Sequence, residues 1–313
     1  MRYHVHPEEG LDLSRVNKAV EEAFAAFARG EVEMPPKVYV NLDGGDFRTM
    51  PASIPSLGLA GVKIVNVHPC NPASGLPSVM ALLVLLEPST GMPYAILNAT
   101  GLTDRRTGAA GAVAARHLCR RQDELEVGLV GAGRQAEAQL EAIAAWLDLG
   151  RVRVWSRREA SAETFARKYA DFEVETAALE RVADCDLLVT TTPSRTPLVQ
   201  SEWIRDGTHI NAIGADAPGK QELDPAILLR ARVFVDDPRQ AVHSGEINVP
   251  IAAGQYRADQ VAGTLGEVVL GRNGRRSEAE VTVFDSTGLA IQDLAIARVA
   301  LDRPDPGVEL AFP

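Results

Sequence analysis

Apolar and polar positions follow two different periods along this chain. From about residue 11 to 29, Leu11, Val16, Ala19, Val20, Ala23, Phe24 and Phe27 recur at helical spacing, and Gly30 follows as a stop signal. The pattern predicts one amphipathic helix. Between Lys37 and roughly Asn98 the runs become short and β-rich: Val38-Tyr-Val-Asn-Leu, Gly61-Val-Lys-Ile-Val-Asn-Val, Val79-Met-Ala-Leu-Leu-Val-Leu-Leu and Tyr94-Ala-Ile-Leu, parted by Gly, Pro, Asn, Asp and Ser. That spacing predicts a hairpin-rich, antiparallel or mixed sheet. An Ala-rich stretch from Thr107 to Cys119 predicts a helix leading out of it.

From Leu125 onward, strand-like and helix-like segments alternate. Strands are expected at 126–130, 152–155, 187–191, 209–213, 233–235 and 281–284, an alternation that reads as a doubly wound parallel sheet. The helix expected over 289–301 follows the last strand and is expected to pack back on the first domain. The fold class is therefore α/β: a parallel sheet over 116–288, inserted into a discontinuous α+β domain built from 1–115 and 289–313.

Composition narrows the classes of function. With 313 residues, 46% of them hydrophobic, the chain can bury a sizeable core. Acidic residues outnumber basic ones by 42 to 32, for a formal charge of −10, which argues against nucleic acid or an anionic membrane surface as partner. No window approaches the ~18 apolar residues of a membrane span, and the start Met1–Glu9 has no apolar signal core, so a cytoplasmic protein is expected. Cys70, Cys119 and Cys185 show no C-x-x-C spacing, and the six histidines show no ligand pairing, so no metal is expected. A G-x-S-x-G elbow is absent as well.

The strongest local motif is Val127-Gly-Leu-Val-Gly131-Ala-Gly133-Arg-Gln-Ala136, an apolar strand running into G-x-G-x-x-A and then a helix expected over 137–147. Gly131 permits the tight turn, Gly133 the approach of backbone to a pyrophosphate, and Ala136 close helix–strand packing, with the helix N-terminus facing the phosphates. The end of the next strand selects the dinucleotide, because a carboxylate there holds the ribose 2′-OH of NAD. Here it reads Trp155-Ser156-Arg157-Arg158, a hydroxyl followed by two guanidinium groups suited to a 2′-phosphate. NADP is the favoured cofactor, with NAD the alternative if the arginines are only a solvated helix start.

Three charged residues stand out where apolar ones were expected. Lys63 interrupts a strand-like run; it is either buried and engaged in chemistry or turned to solvent by the alternation of the strand. Arg48, in Asp46-Phe-Arg-Thr-Met-Pro, is a possible carboxylate fork. Asp216 follows a strand at its carboxyl end, where open parallel sheets bind ligands; it either handles a proton or caps a helix.

Taken together, Lys63-Ile-Val-Asn-Val-His-Pro-Cys-Asn-Pro, Gly75-Leu-Pro-Ser-Val-Met-Ala, Arg105-Arg-Thr-Gly-Ala-Ala, Gly207-Thr-His-Ile-Asn-Ala-Ile-Gly-Ala-Asp216, Gly219-Lys-Gln-Glu-Leu-Asp, Gly245-Glu-Ile-Asn and Phe284-Asp-Ser-Thr-Gly-Leu-Ala-Ile-Gln-Asp resemble the ornithine cyclodeaminase/mu-crystallin family, and within it the archaeal-type alanine dehydrogenases. The resemblance implies a homodimer with a Rossmann domain inserted into a substrate and dimerisation domain. It implies hydride transfer between nicotinamide and the α-carbon of a small amino acid or its imine, with ornithine cyclodeamination or non-catalytic NADP-linked binding as alternatives. It places the substrate-carboxylate arginine on Arg48, the active-site lysine on Lys63 and the catalytic aspartate on Asp216. Arg106 matches an arginine between substrate and cofactor, and Ser78 a hydroxyl on the nicotinamide side. Gly131, Gly133, Arg134 and Gln135 match the pyrophosphate loop, while Thr191, Ile213, Lys220, Ser286 and Thr287 fall in segments that wrap the rest of the dinucleotide. Ser156 departs from the acidic residue of the NAD-using members.

Overall fold

The structure, a computed structural model, describes residues 1–304 and 307–311. The chain forms two compact units, one from Met1–Arg106 with the chain from Leu289 onward, the other from Thr107–Gly288. The first change of unit falls inside the helix Thr100–Leu118, ahead of the 115/116 boundary read from the sequence. The reason is local packing: a Cβ on Gly108 would stand 2.2 Å from the Ala138 carbonyl oxygen, and Gln139 Nε2 donates to the Thr107 carbonyl at 2.9 Å. These contacts tie the helix, from Thr107 on, to the helix Arg134–Ala144.

The first unit is built on a mixed sheet. Its strands are β1 Arg2–His4, β2 Val38–Leu42, β3 Gly45–Ile54, β4 Leu59–Val67, β5 Val79–Leu86 and β6 Pro93–Asn98. They lie in the order β1-β6-β5-β4-β3-β2, with β1 parallel to β6 and the other neighbours antiparallel. The pattern had no strand at β3, because Asp46, Arg48 and Pro51 break its apolar character; the structure pairs it with β4 from Asp46↔Val67 to Ile54↔Leu59. One face of this sheet carries Met50, Ile54, Leu59 and Val65 into a core; the helix Leu13–Ala28 packs there on the helix Ala290–Leu301, which lies against β3 and β4. The second helix is buried almost all round, as a helix with apolar residues on every face must be.

The second unit carries an all-parallel sheet of β7 Leu125–Val130, β8 Leu149–Trp155, β9 Val174–Thr176, β10 Leu187–Thr190, β11 His209–Ala212, β12 Arg232–Val235, β13 Gly263–Thr264 and β14 Thr282–Asp285. Their order is β13-β12-β14-β11-β10-β7-β8-β9. Leu187 and Val189 of β10 enter one core and Leu188 the other, so both faces are covered, which is why these strands read as continuous apolar runs. A last strand, β15 Val308–Glu309, pairs antiparallel with β1 on the first sheet. The chain winds outward from β7 through β8 and β9, then returns to β10 on the other side. That reversal leaves a crevice at the carboxyl ends of β7 and β10, where sheets of this kind bind ligands. No described helix is long and apolar enough to cross a membrane.

Candidate functional site

The glycine turn sits in that crevice. Gly131 ends β7 at φ +116°, and a Cβ there would lie 2.4 Å from Thr191 Oγ1, so both the conformation and the space require glycine. Gly133, by contrast, faces open space, with no atom within 4 Å of where its Cβ would be. It is the N-cap of the helix Arg134–Ala144 and brings no side chain to cover the first N–H groups. Backbone donors and the positive end of the helix dipole are therefore presented to whatever enters. Gly131, Gly133, Ser156, Arg157, Arg158 and Thr191 line a cleft of about 470 Å³. Arg157 and Arg158 are exposed beside Ser156, in the first residues after β8. These features fit a dinucleotide: a turn that admits backbone, a helix end for its pyrophosphate, and cations at the far rim.

The other cofactor candidates do not line this cleft. Arg134 and Gln135 open the helix; Ile213 is buried after β11, its N–H donating to Thr190 O at 3.0 Å. Ser286 and Thr287 are buried after β14, and the Thr287 hydroxyl is committed to Asp236 Oδ1 at 2.8 Å. Ser78 is half-buried ahead of β5, its carbonyl accepting the His68 N–H at 2.8 Å.

In the first unit the structure settles the orientation of Lys63, which is fully buried on the core face of β4. Its Nζ donates to Asp293 Oδ1 at 2.7 Å, and the same oxygen lies 3.1 Å from Arg106 Nε. Arg106 Nη1 donates in turn to Gln292 Oε1 at 2.8 Å. Burial, with the Arg106 charge beside it, pulls the Lys63 ammonium down to about 7, against the opposing pull of Asp293. A lysine held there can give and take a proton near neutrality. Arg48 lies on the same face, opposite Val65 and so two residues along from Lys63; its Nε donates to Asp46 Oδ1 at 2.7 Å and its guanidinium rests over the Tyr39 ring at 5.0 Å.

Asp216 lies in the loop after β11, half-exposed and ion-paired with Lys220. It caps no helix: the next helix, Pro225–Arg230, is capped by Asp224, which accepts the Ala226 N–H at 2.9 Å. The loops around it are fastened by buried carboxylates that the sequence reading did not assign. Glu222 accepts from Thr190 Oγ1, from the Thr192 N–H and hydroxyl, and from the Gly214 N–H, all within 2.6–2.9 Å. Glu246 accepts the N–H groups of Glu222 and Leu223, and Asp285 those of Glu246 and Ile247. Burial raises Glu222 to about 7 and Asp285 to about 8, and it raises Glu246 well above the carboxylate range with Glu222 adding to the effect. Asp293 was missed too: Gln292 and Asp293 are polar residues in a mostly apolar helix, but nothing near them in the chain points to Lys63.

A parallel sheet whose first glycine turn opens beside an uncovered helix end defines a dinucleotide-binding protein. The model of the ornithine cyclodeaminase/mu-crystallin family matches residues 1–306, and the chain belongs to that family. It is 49% identical over 299 residues to the alanine dehydrogenase of Archaeoglobus fulgidus, covering 95% of this chain and 92% of that one. Among solved structures it is similar to an archaeal alanine dehydrogenase dimer with bound NAD, with a TM-score of 0.93 and 47% identity over 96% of this chain and 95% of that chain. It is also similar to the Delta(1)-pyrroline-2-carboxylate reductase of Thermococcus litoralis in complex with NADH and L-proline, with a TM-score of 0.92 and 32% identity over 96% and 97% of the two chains.

Proposed function

We propose that the protein is an NAD(P)-dependent oxidoreductase that moves a hydride between a nicotinamide cofactor and the α-carbon of a small amino acid or its imine. The observation that carries this reading is the open glycine turn at Gly131–Gly133, on a chain whose relatives are amino-acid dehydrogenases and imine reductases. The bound nicotinamide supplies or accepts the hydride; everything else falls to side chains. Arg48 holds the substrate carboxylate as a two-pronged fork, exchanging it for Asp46. Lys63 protonates the carbinolamine oxygen so that it leaves as water, and takes the proton back when water adds to the imine. Asp216 accepts the proton of the substrate amine. NADP(H) is the preferred cofactor, on the strength of Ser156, Arg157 and Arg158 at the cleft rim.

The working form is a homodimer. Val38, Val40, Leu42, Ile64, Leu82 and Tyr94 are exposed on the face of the first sheet turned away from its core, where an apolar surface invites a second copy. A similar archaeal structure is a dimer. The test is a substrate panel of pyruvate with ammonia or methylamine, pyrroline-2-carboxylate, and L-ornithine, followed by NADPH absorbance and ammonia release. NADPH consumption with an imine supports the reading; ammonia release from ornithine without net cofactor change replaces it with cyclodeamination.

A further inference from the structure

The buried group around Lys63 is electrically unbalanced. Two cations, Lys63 on β4 and Arg106 on the helix Thr100–Leu118, meet a single carboxylate, Asp293 on the helix Ala290–Leu301, with all three at least nine-tenths buried. Lys37, ahead of β2, adds a further positive charge felt at Lys63. One oxygen of Asp293 serves both cations, while its Oδ2 is buried with no hydrogen-bond partner among the described residues. Gln292, the residue before it, turns its carbonyl oxygen to Arg106 and thereby holds that guanidinium on its near side.

We infer that Asp293 is a positioning residue for Lys63: its carboxylate fixes Nζ on the face of the sheet and supplies the negative charge that keeps a proton on the lysine to higher pH. Of the charged groups facing Lys63 among the described residues, Arg106 and Lys37 oppose its proton and Asp293 favours it. Without Asp293, burial and two like charges act unopposed, and Lys63 gives up its proton at a lower pH. Gln292→Glu would act in the opposite sense, adding negative charge beside Arg106 in a side chain of the same shape.

The activity readout rests on the oxidoreductase reading. In the direction of imine formation and reduction, turnover should fall as pH rises through the Lys63 titration, near 7 in the parent. Asp293→Asn should move that limb to lower pH by about one unit or more, a roughly tenfold loss just above the parent midpoint, while turnover at the acid plateau is largely kept. Gln292→Glu should move it upward. A limb that stays at the parent pH in both variants, with turnover lowered evenly across the range, overturns the inference. If Asp293→Asn does not fold, Gln292→Glu decides alone, by whether its limb moves. If the parent turns over no amino or imino acid with either nicotinamide, the functional reading fails and the pair is read from stability instead. Urea unfolding of the parent, Lys63→Met, Asp293→Asn and the double variant should then give a coupling that is present at pH 6 and largely lost at pH 9; equal coupling at both pH values overturns it.

Discussion

Replacing Arg157 by alanine removes one of two exposed guanidinium groups beside Ser156 without touching a buried contact. One charge-assisted bond to a phosphate is worth roughly 1.5–3 kcal/mol, so the apparent constant for NADPH should rise by about tenfold or more while that for NADH stays within about twofold. Titration with both cofactors checks this; equal effects, or a parent that prefers NADH, would refute the assignment. Asp216→Asn should fold and bind NADPH as the parent does, since the carboxylate caps no helix, yet lower turnover by roughly 10²–10⁴. A stable variant keeping more than half the parent rate would remove Asp216 from the mechanism. The positions of Gly131, Ser156 and Asp216 after strands were legible, because a strand end is where a local rule gives glycine, hydroxyl or carboxylate a meaning. Asp293 was not, because its meaning depends on Lys63, 230 positions earlier in the chain.

The loops at the carboxyl ends of β10, β11 and β14 are held by fully buried acids, and that has a measurable sign. Glu222 is raised from 4.5 to about 7, so the folded chain holds a proton there that the unfolded chain releases. The stability it contributes is full below about pH 4.5 and is lost as pH rises through 7. Asp285, raised from 3.8 to about 8, acts in the same sense over a window ending a unit higher. Glu222→Gln should therefore flatten the decline in unfolding free energy between pH 5 and 7 by up to about 1.4 kcal/mol per pH unit. Urea unfolding at pH 5, 6 and 7 measures it, and parallel slopes for parent and variant would contradict the assignment. At this scale the long periodic elements were readable, including the helix Leu13–Ala28 and β7. The hidden ones were β3, whose Pro51 argues against a strand although it pairs opposite Val62, and the short β9 and β13, which offer too few residues for a period to show.

For the whole molecule, the apolar outer face of the first sheet is what supports the proposed dimer. Light scattering should give twice the 33.6 kDa of one chain at micromolar concentration. Leu82→Lys, which puts a charge in the row Thr49–Ile64–Leu82, should shift that mass toward one chain, whereas a monomeric parent would sink the proposal. Alternating strands and helices after Leu125 made the parallel sheet legible from the sequence. The grouping of Lys63, Arg106 and Asp293 was not, since it arises only when the chain from Leu289 onward rejoins the first unit. The central claim is that a hydride passes between nicotinamide and an α-carbon. NADPH carrying deuterium at C4, supplied in each stereochemical form with the imine the protein turns over best, tests it directly. The account predicts one deuterium on the α-carbon of the amino-acid product from one of the two forms. Product carrying no label from either form, or no product at all, would contradict it.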